Sequence, residues 1–170
     1  MTARSQRTAA EIEAFIHRHS ALVYRVAYAR TNQKADADDV FQEVFLRYAA
    51  KLPTFESEEH QRAWLIRVTL NCASKHYASF WNRKTTALPE DFAFAQPEES
   101  GLAEALRQLP AKDRALVHLF YYEGYSTDEI AKLLRTKTST VRTRLTRARA
   151  KLKVLLKGDY DVENPLSADD

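Results

Sequence analysis

With three glycines and five prolines among 170 residues, the chain is short of the turn-formers that a sheet-rich fold consumes. Its apolar residues instead recur at three- and four-residue steps, the period of an amphipathic helix. Ile12, Phe15, Ile16, Val23, Val26 and Ala27 mark one helix over about 8–30. Val40, Phe41, Val44, Phe45 and Tyr48 mark a second, starting near Asp36 and stopping before Pro53. A third covers about 58–82, with Trp64, Leu65, Val68 and Cys72 inward. Its β-branched Val68-Thr69 ahead of Asn71 is weak helix, which predicts a kink or short loop there.

Residues 83–101 lose the period and bring Pro89, Pro97, Ser100, Gly101 and four acids, the composition of a linker. Beyond it, 102–109 and 111–123 read as helices split by Pro110, the second ended by Gly124. Ser126-Thr127-Asp128-Glu129 has the form of a capping box and opens a short helix through Ile130, Ala131, Leu133 and Leu134. A polar break at 135–139 precedes a longer helix over about 140–156. The expected fold is all-α. Two small helical domains, 8–84 and 102–157, are joined by a flexible acidic linker, 85–101, and followed by an acidic tail, 158–170.

Several function classes drop out on composition. The longest apolar runs, such as Ala21-Leu22-Val23-Tyr24, are four residues long. A spanning helix needs about 20 apolar residues and a secretory signal about 7–15, so a soluble, cytoplasmic protein is expected. Cys72 stands as a single cysteine, so no internal disulfide or multi-cysteine zinc site is expected. The five histidines lack metal-ligand spacing, and no Gly-rich phosphate loop, Gly-x-Ser-x-Gly elbow or His-Glu-x-x-His pair occurs. No cofactor and no enzymatic activity are expected.

Charge is what remains informative. The net +3 conceals a block at 135–157 with nine bases and no acid, followed at 158–170 by five acids and no base. Solvated helix faces normally mix both signs, so such a block points to an anionic partner, nucleic acid above all. The two last helices, joined by a few polar residues, have the form of a helix-turn-helix, whose second helix enters the major groove. Val141, Leu145, Ala148 and Leu152 give that helix one continuous apolar stripe, with Arg142, Arg144, Arg147, Arg149 and Lys151 on its other faces.

These residues carry a family resemblance. Tyr122-Glu123-Gly124-Tyr125-Ser126, Glu129-Ile130-Ala131, Thr140-Val141-Arg142-Thr143-Arg144-Leu145 and Arg147-Ala148-Arg149 resemble region 4 of bacterial sigma factors, more specifically those of the extracytoplasmic-function (ECF) group. Independently, Asp38-Asp39-Val40-Phe41-Gln42-Glu43-Val44-Phe45-Leu46 is similar to that family's region 2.2, and Trp64-Leu65-Ile66-Arg67-Val68 with Asn71 to its regions 2.3 and 2.4. The resemblance covers about 10–82 and 102–155.

The resemblance implies a factor that joins core RNA polymerase and directs promoter recognition and opening. The β′ clamp helices would be met by Asp38, Asp39, Gln42, Glu43, Phe45 and Leu46, an acidic rim around an apolar centre, with the β flap as a second polymerase contact. The opened −10 element would be held by Arg67, Asn71, Lys75, His76, Tyr77 and Trp81, with Asn71 at the position that reads a flipped base. Such a site needs aromatic faces, amides and cations, and this inventory supplies all three. Trp64 reads as core, which leaves Tyr77 or Trp81 to stack.

The −35 duplex would be read by Thr140, Arg142, Thr143, Arg144 and Arg147, with Arg149 and Lys151 on phosphates. An anti-sigma factor is a further implied partner; direct membrane insertion is not. Two positions depart from the family pattern: Lys75 stands where an Asp is usual, and Arg135 where the turn commonly has glycine. The linker could mimic nucleic acid in a basic channel or serve as a solvated tether. A stand-alone duplex-DNA regulator and a polymerase-binding decoy are the alternative functions.

Overall fold

The computed structural model describes residues 7–78 and 101–157. The helices among these residues are α1 (Ala9–Thr31), α2 (Lys34–Lys51), α3 (Glu58–Ala78), α4 (Gly101–Arg107), α5 (Ala111–Tyr121), α6 (Thr127–Leu134) and α7 (Thr138–Lys157). They fall into two compact units, one built on α1–α3 and the other on α4–α7.

In the first unit, α1 opens on a capping box: the Glu11 amide donates to Thr8 Oγ1 (3.2 Å) and the Thr8 amide to Glu11 Oε2 (2.7 Å). Both donors would otherwise be orphans of the helix start. Asn32 ends α1 and Leu52 ends α2 in the left-handed region. The three helices pack around Phe15, Val23, Ala27, Val40, Phe41, Val44, Tyr48, Leu65 and Cys72. Phe15 stacks on Tyr48 at 3.7 Å, and Tyr48 meets Trp64 edge-on at 6.4 Å. Trp64 is thus a packing residue against this core. Burial pushes the Cys72 thiol up from its ordinary value, which makes it a poor nucleophile at neutral pH.

The expected kink in the third helix is absent, because α3 continues through Val68–Asn71. Thr69 is fully buried and returns its hydroxyl to the Leu65 carbonyl at 2.7 Å, so no polar group is stranded by the helix. Leu65, Ile66, Leu70, Cys72 and Ala73 are buried along the same stretch. Packing of those side chains outweighs the few tenths of a kcal/mol that β-branching costs.

In the second unit, Gly124 takes φ +74° to reverse the chain after α5. The capping box at α6 forms as expected: the Glu129 amide donates to Ser126 Oγ (3.2 Å) and the Ser126 amide to Glu129 Oε2 (2.8 Å). Helix α6 ends in a Schellman arrangement, with the Thr136 amide on the Ala131 carbonyl (2.9 Å) and the Arg135 amide on that of Lys132 (3.3 Å). Arg135 holds the left-handed position, φ +54°. A β-carbon there costs about 1–2 kcal/mol. Arg135→Gly is therefore expected to raise stability by up to about 1 kcal/mol, after the extra entropy of glycine in the unfolded chain is subtracted. Chemical denaturation compares the two proteins directly, and a lower midpoint for the glycine variant would contradict this account of the turn.

Candidate nucleic-acid interface

Helix α7 buries Val141, Leu145, Ala148 and Leu152 on one side, as the sequence spacing requires. Arg142, Thr143 and Arg147 are exposed, and Thr140 and Arg144 are half-buried at the flank. The Thr143 hydroxyl donates to the Ser139 carbonyl at 2.9 Å, and its oxygen can still accept. The first turn of α7 is tied to that of α6 by Thr138 Oγ1 donating to Asp128 Oδ1 at 2.9 Å. This bond fixes where α7 starts relative to α6, and the sequence reading missed it. Its signal was an acid at N2 of one helix and a hydroxyl at N1 of the next.

Two residues expected to contact phosphate also have partners inside the unit. Arg149 Nε donates to Tyr121 Oη at 2.6 Å, and its guanidinium lies 5.4 Å from the Phe120 ring and 5.6 Å from that of Tyr121. Lys151 Nζ donates to the Gln108 carbonyl at 3.0 Å, just past the end of α4. Long basic side chains lie along their own protein surface to reach such partners. The structure also brings in a cation the sequence reading left out. Lys112, in the first turn of α5, borders a shallow basin with Arg144 and Arg147, and the Asp113 carboxylate of the same turn lines it too. The amino end of α5 adds its partial positive charge there.

In the first unit, Arg67, Asn71 and Lys75 follow one another at four-residue steps along α3, with Asn71 and Lys75 exposed. They form a polar line of cation, amide and cation. His76 does not join it: its Nε2 pairs with Asp36 Oδ1 at 2.9 Å, and the carboxylate is almost fully buried. The imidazole fastens the end of α3 to the start of α2, so it is a bundle residue. The side chain of Tyr77 lies outside the described residues, as do Trp81, the acidic tail and the expected linker through residue 100; Gly101, read as the last linker residue, instead opens α4.

The acidic surface expected on α2 is narrower than the sequence suggested. Phe45 is 5% exposed and belongs to the core, and Asp38 is 3% exposed. Asp38 Oδ2 accepts from Lys34 Nζ at 2.8 Å, while its Oδ1 is buried with no hydrogen-bond partner among the described residues. Burial, with the Asp38 charge nearby, pushes the Tyr24 hydroxyl up to about 12. What α2 exposes is Glu43 and Leu46, the latter 66% exposed, with Asp39 and Gln42 half-buried beside them. Glu43 Oε1 accepts from Arg47 Nε at 2.9 Å, an i,i+4 ion pair at the surface.

Comparison with known proteins decides the family. The family described as Sigma-70 region 2 matches residues 15–83, and that described as Sigma-70, region 4 matches residues 101–152. The ECF RNA polymerase sigma factor SigL of Mycobacterium tuberculosis is 34% identical over 149 residues, 81% of this chain and 84% of SigL. The chain belongs to the ECF sigma factors. The ECF sigma factor SigE of Mycolicibacterium smegmatis is 31% identical over 151 residues, 81% of this chain but 58% of SigE. The sequence thus spans well under two thirds of that relative's length. A solved structure of CnrH in complex with the cytosolic domain of CnrY matches with a TM-score of 0.64 and 27% identity, over 90% of this chain and 92% of that one. For this ECF factor, no helix among the described residues is long and apolar enough to cross a membrane. No cluster of three or more potential metal ligands occurs among them either.

Proposed function

We propose that this ECF factor joins core RNA polymerase through the first unit, opens the −10 element with α3 and reads the −35 duplex with α7. The observation that carries the reading is α7 itself, which pairs a continuous buried stripe with an outward face of Arg142, Thr143 and Arg147 beside Arg144 and Lys112. That is the layout of a helix that packs on one side and meets a major groove on the other. Thr140, Arg142, Thr143, Arg144 and Arg147 contact base edges and adjoining phosphates, and Lys112 takes a phosphate at the flank, on the side of the basin away from Asp113. Arg149 and Lys151 help to position α7 through Tyr121 and Gln108 and keep further N–H donors at the surface for phosphate.

On α3, Arg67, Asn71 and Lys75 hold the opened strand, with Tyr77 or Trp81 as stacking faces. Lys75, unusual for the family, adds a phosphate contact at the end of that line. The β′ clamp helices meet Asp39, Gln42, Glu43 and Leu46, a small apolar centre ringed by polar groups. The β flap is a second polymerase contact and an anti-sigma factor a further partner, as CnrY is found on CnrH. The factor acts in the cytoplasm and leaves the chemistry of RNA synthesis to the polymerase.

Co-elution with core RNA polymerase is the test, comparing the unaltered chain with Asp39→Lys. Asp39 is half-buried on α2, so circular dichroism of Asp39→Lys is read beside co-elution; with helicity and melting unchanged, polymerase binding should fall by tenfold or more, about 1.4 kcal/mol or greater. Undiminished co-elution of Asp39→Lys would remove this surface from the interface. No co-elution of the unaltered chain at moderate salt would leave a stand-alone duplex-DNA regulator.

A further inference from the structure

The second unit holds an apolar groove of about 310 Å³, away from the outward face of Arg142, Thr143 and Arg147 on α7. Leu102, Leu106, Val117, Tyr121, Tyr122 and Ala150 form its walls. Tyr122 is 63% exposed, Tyr121 46% and Leu102 38%, so the groove keeps large apolar side chains in water. Grouped exposure of this kind marks a surface that something covers. The charged groups at its edge are Arg149 and Lys153, and no carboxylate lines it among the described residues. An apolar slot with a cationic edge fits an occupant that alternates apolar and acidic side chains.

The sequence carries such a segment directly after α7. In Asp159-Tyr160-Asp161-Val162-Glu163 every second residue is acidic, with Tyr160 and Val162 between. In extended chain this alternation puts the apolar pair on one side and the carboxylates on the other. Lys153 lies one helical turn before the end of α7, about 6 Å back along its axis. Residues 158–163 span up to about 20 Å when extended, and Gly158 accepts the φ that a reversal needs. Tethering supplies a local concentration in the millimolar range, which no separate partner of the same chemistry matches at ordinary abundance.

We infer that residues 158–170 bind back onto their own unit, with Tyr160 and Val162 in the groove and the carboxylates along its Arg149–Lys153 edge. This goes beyond the proposed function, and its test needs neither polymerase nor DNA. A seated tail occupies the groove against other apolar partners and sets negative charge against one flank of α7.

Hydrogen–deuterium exchange tests it on the full chain and on a variant truncated after Lys157. Amides of α4 and of the last turn of α5 should exchange about tenfold faster after truncation, the protection that a millimolar tether gives a contact of about 0.1 mM affinity. The full-length Tyr160→Ser/Val162→Ser variant should match the truncated one. Asp159→Asn/Asp161→Asn/Glu163→Gln should lose part of the protection and most of its salt dependence. Equal exchange in the full and truncated chains would overturn the proposal, as would protection that survives Tyr160→Ser/Val162→Ser. Protection that rises with protein concentration would place a second copy in the groove and overturn it equally.

Discussion

Arg144→Ala should weaken binding to a −35 duplex by roughly 5- to 150-fold, the ~1–3 kcal/mol that one bidentate guanidinium–guanine contact supplies. The loss should be largest on the preferred sequence and small on unrelated duplex, because a base contact discriminates where a phosphate contact does not. Asn71→Ala should leave that duplex binding unchanged and lower transcription from a closed promoter. A template already opened at −10 should recover part of the loss, because the unpairing cost is then already met. Run-off transcription on closed and premelted templates, beside duplex binding, separates the two. If both variants behave alike on both templates, the assignment of α7 to duplex and α3 to opened strand is wrong.

A comparably large effect is expected in the core of the second unit. Leu145 is 1% exposed, at the middle of the α7 stripe. Leu145→Ala removes its side chain from a site that cannot close over the gap, at a cost of about 2–5 kcal/mol. For a unit of this size each kcal/mol moves the melting temperature by roughly 4–8 °C, so a drop of at least about 8 °C is expected in the transition of residues 101–157. Thermal melting followed by circular dichroism reads it. Thr143→Ala, exposed on the opposite side of the same helix, should shift melting by less than about 0.5 kcal/mol. A small effect at Leu145 would mean that α7 is not anchored through this stripe.

Much of this architecture was legible because helices announce themselves locally. The Ser126–Glu129 capping box and the Val141–Leu145–Ala148–Leu152 stripe are spelled within a few residues, and both appear as read. What escaped depends on partners far along the chain. Arg149 reaches Tyr121, Lys151 reaches Gln108, and His76 reaches Asp36 some 40 residues away. A helical period says which side of α7 a base leaves from, but its flexible stem decides where the charge arrives.

Phe45 shows a different failure. It lies four residues after Phe41 and one after Val44, inside the apolar face, and that spacing outweighs its place in a segment resembling a polymerase-binding surface. The Val68–Thr69 stretch was misread for the reason that propensity is a weak prior: a buried face and one hydroxyl bond kept α3 continuous.

The nine bases at 135–157 stand within about 20 residues of one another with no acid interspersed. At physiological ionic strength the Debye length is about 8 Å, so neighbours on successive turns of α7 still repel. Salt therefore acts on this unit in two opposed directions. Added electrolyte screens the mutual repulsion and should raise the melting temperature of the uncomplexed protein. The same electrolyte reduces the gain from counterion release and loosens any DNA complex. Bound DNA does the screening itself and stabilises the unit by mass action. On the proposed reading, duplex is therefore also a folding ligand for α7, with its largest effect in dilute buffer, where the uncomplexed helix is least stable.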